Sequence, residues 1–348
     1  MIHRSSYILS LGIVVAILGL MAISFGQIDS SSFISVDKPS SIAWSQTGFI
    51  VGLGDDGVRI NLVNPRTNKV DLYAGAFKGG EETHIAVSLG MTFPYGNVYV
   101  NKGDTIFELA DDGQSNRKFA VPSPGSNIAG LTFDIMKTWS YRLIAVTYDG
   151  SVWAIDETGQ IEQLANLGNN VGPSGLMIAP ADFGDFSSNI LVSLANENKI
   201  VSISNIDRSV SVLHEFQGEK PGIMLHNFQR STLYVSNHDG GDIVKIDPEV
   251  TKPYWAQILL VTEDEQGGSH SIKFIRATRL AVEISELASG VTNPDFAGAV
   301  FVGDAEWERS LEEPDEEIPD IDPRLIIFPV LIVIVIGIVA VIWRFRGF

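Results

Sequence analysis

The sequence predicts an all-β chain: a six-bladed β-propeller with an N-terminal signal or anchor segment and a C-terminal transmembrane helix. Three observations carry this reading. A short apolar motif recurs six times at nearly equal spacing, and strand-like runs separated by Gly- and Asp-bearing turns fill the intervals. Long apolar segments stand near both ends of the 348 residues, which contain no cysteine.

Residues 8–25 are apolar except for Ser10, Gly12, Gly19 and Ser24, and they follow a short basic start at His3 and Arg4. This is the pattern of a signal peptide or signal anchor, assigned to residues 1–26. Residues 27–303 carry the repeat. Its anchors are Ile42, Ile85, Leu131, Leu176, Ile223 and Ile272, separated by 43, 46, 45, 47 and 49 residues. After each of the first five comes a β-rich run, at 49–51, 98–100, 143–146, 190–192 and 233–235, and then an alternating run, at 58–62, 105–109, 151–155, 199–203 and 242–246. Asp56 with Gly57, Asp149 with Gly150, and Asp239 with Gly240 and Gly241 supply the turns, since Asp and Gly tolerate positive φ. A fourth run, as at 161–164, 210–213 or 256–260, closes a unit of four strands, which is one propeller blade. The sixth unit has three runs, at 272–275, 280–284 and 299–302. The unassigned run at 33–36 is therefore expected to supply its fourth strand and to latch the first and last blades, removing the exposed edges of an open array.

Residues 304–323 hold ten acidic residues, Arg309, and prolines at 314, 319 and 323, a composition that reads as an extended stalk. In the last segment, 324–348, nineteen uncharged residues at 325–343 span about 29 Å as a helix, one bilayer core. Arg344 and Arg346 follow and place the short basic tail in the cytoplasm. The expected location is the cell membrane, single-pass anchored, with the propeller on the extracellular side. The balance of 42 acidic against 24 basic residues, a net charge of -18, sets nucleic acid aside as a partner. Without cysteine, disulfide scaffolds, thiolate metal sites and thiol nucleophiles are excluded.

The run 232–247, preceded by Pro221, Gly222 and Ile223, resembles a blade of the NHL-repeat and gluconolactonase-like (regucalcin-type, SMP-30) six-bladed propellers, and the pattern extends over 33–302. In the lactonases of that group, a channel cation is held by a glutamate in a Glu-Gly-Pro-x-Trp segment and an asparagine in a Pro-Asn-Gly segment. Here the matching segments read Ser40, Ser41, Ile42, Ala43, Trp44 and Pro173, Ser174, Gly175, without either ligand type. The resemblance thus implies the fold and leaves a binding or interaction module as the expected function, with a gluconolactonase-like hydrolase or lyase at the central channel as the alternative.

No catalytic residue, metal ligand or resident cofactor is assigned. The binding candidates are Glu81, Glu82, His84, His226, Asp239, Asp242 and His270. His84 and His270 precede anchors and are expected to ring the channel, with His226 at the end of an inner strand; three imidazoles are potential metal ligands or acid–base groups. The acidic residues belong to loops that should emerge on one face. That face would attract a basic protein, a cationic ligand or a loosely bound divalent cation. Trp139, Tyr141 and Tyr148 read as half-buried aromatics on strands.

Overall fold

A computed structural model describes residues 30–53, 59–73, 83–228, 230–265, 270–279, 281–287 and 296–303. Segments 1–26, 304–323 and 324–348, together with Glu81, Glu82, Asp56 and Gly57, lie outside them. Among the described residues no helix is long and apolar enough to cross a membrane.

The described strands form six four-stranded antiparallel sheets. Blade I is β2 (Pro39–Ser45), β3 (Gly48–Leu53), β4 (Arg59–Asn64) and β5 (Lys69–Leu72). Blade II is β6 (Ile85–Val87), β7 (Val98–Lys102), β8 (Thr105–Leu109) and β9 (Asn116–Ala120). Blade III is β10 (Ile128–Phe133), β11 (Leu143–Thr147), β12 (Ser151–Ile155) and β13 (Ile161–Asn166). Blade IV is β14 (Pro173–Ile178), β15 (Ile190–Leu194), β16 (Lys199–Ile203) and β17 (Val210–Glu215). These follow the expected spacing, and five anchors sit on inner strands or at their ends as read.

The last two blades depart from it. Blade V is β18 (Glu219–Asn227), β21 (Gln257–Asp264), β22 (His270–Ala277) and β23 (Val282–Glu286). Blade VI is β24 (Phe296–Gly303), β19 (Ser231–Asn237), β20 (Asp242–Ile246) and β1 (Ser30–Ser35). After β18 the chain leaves blade V, builds the middle hairpin of blade VI, and returns through the one-turn helix α1 (Pro248–Thr251). Asp247 caps this helix by accepting from Glu249 N at 2.9 Å. The sixth anchor, Ile272, therefore lies on the third strand of blade V, and residues 299–302 belong to an inner strand. β1 does supply the missing outer strand. It pairs with β20 from Ser30↔Ile246 to Ser35↔Asp242, which closes the ring.

The packing explains why each second strand is apolar on both sides. Side chains alternate across a strand, and a blade inside a ring has a neighbour on each face. On β3, Phe49 and Val51 face blade VI while Ile50 faces blade II. On β19, Leu233 and Val235 face blade V while Tyr234 faces blade I. Each interface between neighbouring blades carries its own cluster, as between β11 and β15, where Ile144 and Val146 meet Ile190 and Val192. The inner strands pack in the order β2, β6, β10, β14, β18, β24 and back to β2.

Candidate functional site

At the end of the ring where the inner strands begin, their first residues enclose a cavity of about 480 Å³. Its geometry follows from a repeated irregularity. The pairing of inner to second strand slips between Pro39 and Ser41, Ile128 and Gly130, Pro173 and Gly175, and Pro221 and Met224, and also opposite Ser236 and Asn237 in blade VI. Such bulges bend a strand and leave one residue out of the ladder. Here they turn backbone toward the channel mouth.

The bulges place one residue per blade in a ring: Ser41 opposite Gly52, Gly130 opposite Val146, Gly175 opposite Ser193 and Gly298 opposite Ser236. Gly222 occupies the wide bulge of blade V, and His84 stands just before Ile85, with its backbone N–H donating to Asn101 Oδ1 at 2.6 Å. Glycine is required where neighbouring strands meet most closely. A Cβ on Gly175 would lie 2.1 Å from Gly222 O, and one on Gly298 would lie 3.0 Å from Ser41 Cα. Ser193 Oγ donates to Gly222 O at 2.8 Å and Ser174 Oγ donates to Pro221 O at 2.6 Å, fastening blade IV to blade V. Below this ring lie the anchors Ile42, Ile85, Leu131, Leu176 and Ile223, joined by Ala299 of β24.

Ser41 and His84 are the two side chains in a ring otherwise made of glycine, and they occupy adjacent blades. Ser41 is 7% exposed, and its Oγ has no hydrogen-bond partner. The same holds for the enclosed Nε2 of His84. Burial alone lowers the His84 pKa to about 4, so the imidazole is neutral at pH 7. A buried polar atom without a partner forfeits a hydrogen bond that water would have supplied, and buried polar groups in folded proteins are seldom left so.

Of the sequence candidates, His84 and His270 both line this cavity, although His270 arrives from β22 rather than from an inner strand. Its ring meets Phe296 edge-on, with centroids 5.7 Å apart. Lys220 and Glu263 stand opposite one another on β18 and β21 at the same mouth. His226, at the other end of β18, is exposed beside Phe228 and does not reach the cavity. Asp239 lies in the β19–β20 turn and Asp242 opens β20, where it accepts from Asn237 Nδ2 at 2.9 Å. Trp139 and Tyr141 lie in the β10–β11 loop and Tyr148 in a turn, not on strands; Trp139 is 8% exposed, and its indole donates to Ser188 O at 3.0 Å.

Several carboxylates of this face brace the protein itself. Asp104 accepts from Gly125 N and Thr105 Oγ1, both at 2.9 Å, and the Gly125 bond leads the causes that hold its carboxyl below the ordinary range. For Asp149 burial works the other way. Hydrogen bonds from Thr147, Ser123 and Ser151 outweigh it and lower the pKa. Glu197 pairs with Lys199 at 2.5 Å, and Glu219 pairs with the buried Lys273 at 2.6 Å. Among the described residues no group of three or more His, Asp or Glu is placed to hold a metal ion. The positions matching the lactonase ligands, Ser40 to Trp44 and Pro173 to Gly175, bring serine, glycine and apolar side chains to the cavity, a donor set that does not fit a hard cation.

Ser41 was missed by sequence reasoning, although the signal was present. Aligning the anchors puts Ser41, His84, Gly130, Gly175 and Gly222 in one column, where the two non-glycine residues stand out.

No protein-family model matches the chain, and no curated protein matches it in sequence. Among solved structures it is similar to selenomethionine-substituted virginiamycin B lyase from Staphylococcus aureus, at 13% identity and a TM-score of 0.47, covering 74% of this chain and 88% of that one. A chain of the nidogen/laminin complex matches at 13% identity and a TM-score of 0.47, covering 76% and 84%. YCF48 from Cyanidioschyzon merolae matches at 10% identity and a TM-score of 0.44, covering 74% of each chain. At these scores the fold rests on the strand pairing described above.

Proposed function

We propose that the chain is a binding module of the NHL-repeat and gluconolactonase-like kind, displayed on the outer face of a membrane by its stalk and C-terminal helix. On this reading it takes a small, largely apolar ligand with one polar head at the mouth of its central channel. The observation that carries this is that Ser41 Oγ and His84 Nε2, on adjacent blades and both among the residues lining the cavity, are buried without a hydrogen-bond partner. A hydroxyl or amide on the ligand satisfies both: a neutral imidazole nitrogen accepts or donates according to its tautomer, and a serine hydroxyl does either. The apolar body rests on the anchor ring, gaining roughly 25 cal/mol per Å² buried. The acidic rim then acts on approach, enriching cationic ligands or a basic partner, and its effect is screened by salt. A hydrolytic reading would require donors that the matching positions lack.

The test uses phenol and benzene as probes of the full chain, with binding followed by saturation-transfer NMR. Phenol is expected to bind the wild type more tightly than benzene. In the S41A/H84L double variant phenol should lose about tenfold, the value of two modest hydrogen bonds, while benzene is unchanged. Equal phenol affinity in both proteins would remove the site.

A further inference from the structure

A second cavity, of about 580 Å³, lies at the other end of the ring, where the inner strands leave the channel. Its walls come from the β14–β15 loop at Asp182, Phe183 and Gly184, the turn before β21 at Trp255, and the end of β22 with its following turn at Arg276, Thr278 and Arg279. Gly184 has φ +56, and a Cβ there would lie 2.7–2.8 Å from the backbone of Thr278, so the blade IV loop rests directly on the turn that carries Arg279. That turn is braced by Thr278 N donating to Ala281 O at 2.9 Å and by Ala281 N donating to Thr278 Oγ1 at 3.1 Å.

Neither Arg276 nor Arg279 forms an ion pair with a carboxylate among the described residues, and Glu283 stands opposite Arg276 across β22 and β23. In a chain with 42 acidic residues against 24 basic ones, two such guanidinium groups on one cavity run against the composition. The enclosed indole N–H of Trp255, on the same wall, also has no hydrogen-bond partner. Arg276, Arg279 and Trp255 therefore line one space with Asp182 on the facing loop.

We infer that this cavity is a binding site for a small hydroxylated oxyanion. Its phosphate or carboxylate group is held by Arg276, Arg279 and Trp255 Nε1, and a hydroxyl of the same molecule donates to Asp182. Guanidinium forks match the oxygen geometry of such anions, and charge-assisted bonds are the strong ones. The site is independent of the channel-mouth cavity and of any ligand there.

The test is calorimetric titration of the full chain with inorganic phosphate and with glycerol 3-phosphate. Glycerol 3-phosphate is expected to bind more tightly than phosphate, and D182N should abolish that preference while leaving phosphate binding in place. R276Q and R279Q are each expected to weaken both anions about tenfold or more, whereas S41A/H84L leaves them unchanged. G184A, which keeps every charge but displaces the Thr278 turn, should also weaken both. If neither anion binds the wild type up to about 10 mM, or if the R276Q/R279Q double variant binds as the wild type does, the assignment fails.

Discussion

Replacing His84 with leucine tests whether the channel mouth is dry enough to hold a neutral imidazole. In the native protein burial lowers the His84 pKa to about 4, against an ordinary value of about 6.5 when the chain is unfolded. Below about pH 6.5 the unfolded state takes up a proton that the native state does not, so native stability falls as pH falls, and most of the loss is complete near pH 4. At 1.36 kcal/mol per pKa unit the loss comes to about 3 kcal/mol. The H84L variant has no such proton to bind. At neutral pH it should lie within about 1 kcal/mol of the wild type, because Nε2 makes no hydrogen bond that leucine would forfeit. Urea unfolding of both proteins at a series of pH values from 7 to 4 measures the difference directly, and the carboxylates that titrate in acid cancel because both proteins share them. Wild type should lose about 3 kcal/mol more than H84L across the series, all of it below about pH 6.5. Parallel curves would show that His84 is protonated without penalty. The reasoning that makes it a neutral ligand-binding group would then fail.

Two further substitutions probe the ring. Gly175→Ala drives a Cβ to 2.1 Å from Gly222 O and 2.7 Å from Ser193 Oγ, and should cost more than about 2 kcal/mol in urea unfolding. Gly218→Ala meets open space at φ +75, so it should cost only the left-handed backbone penalty of about 1–2 kcal/mol; equal losses at the two sites would mean the blade IV–V contact is not as close as it stands. Deleting residues 30–37 removes β1, with Ile34 at 4% and Val36 at 5% exposure, and uncovers the edge of β20. The truncated protein should lose at least about 3 kcal/mol and self-associate in size-exclusion chromatography with light scattering, while a monomer of unchanged melting temperature would place the latch elsewhere.

Four blades were legible in the sequence because their strands follow one another along the chain and each second strand is buried on both faces. Runs 105–109, 151–155 and 199–203 coincide with β8, β12 and β16. The outer strands were harder to see. β5, with all four residues exposed, and β9, with its first three exposed, carry too little apolar pattern to register. The interleaving of blades V and VI was not read from spacing, because the short link from β18 to β19 looks like any other step from a first to a second strand. A marker did exist: Asp247 and Pro248 form a helix start between the runs 242–246 and 256–260. The site was half legible. His84 and His270 were found from their loop positions, but Ser41 reads as an ordinary serine until the bulges align it with the glycines of the other blades. Glu81 and Glu82 lie outside the described residues.

The interleaving also decides how the ring closes. Blade VI takes its outer strand from β1, its middle hairpin from an excursion out of blade V, and its inner strand from β24. None of these segments can complete a sheet until the others arrive, and β1 lies more than 200 residues from its partner β20. A simple end-to-end closure would leave blade V whole when the last strands detach. Here loss of β24 uncovers β19, and the β19–β20 hairpin is covalently interposed between β18 and β21, so strain at the closure reaches the inner strand of blade V directly. That strand carries Lys220, Pro221, Gly222 and Ile223 into the channel mouth. Closure of the ring and the shape of the channel-mouth cavity are thereby coupled through β18. Contacts so distant in sequence are entropically costly to form early, so blade VI is expected to fold last; pulse-labelling hydrogen exchange should show β1, β20 and β24 protected after the strands of blades II to IV, and protection of blade VI at the same time as theirs would refute this order.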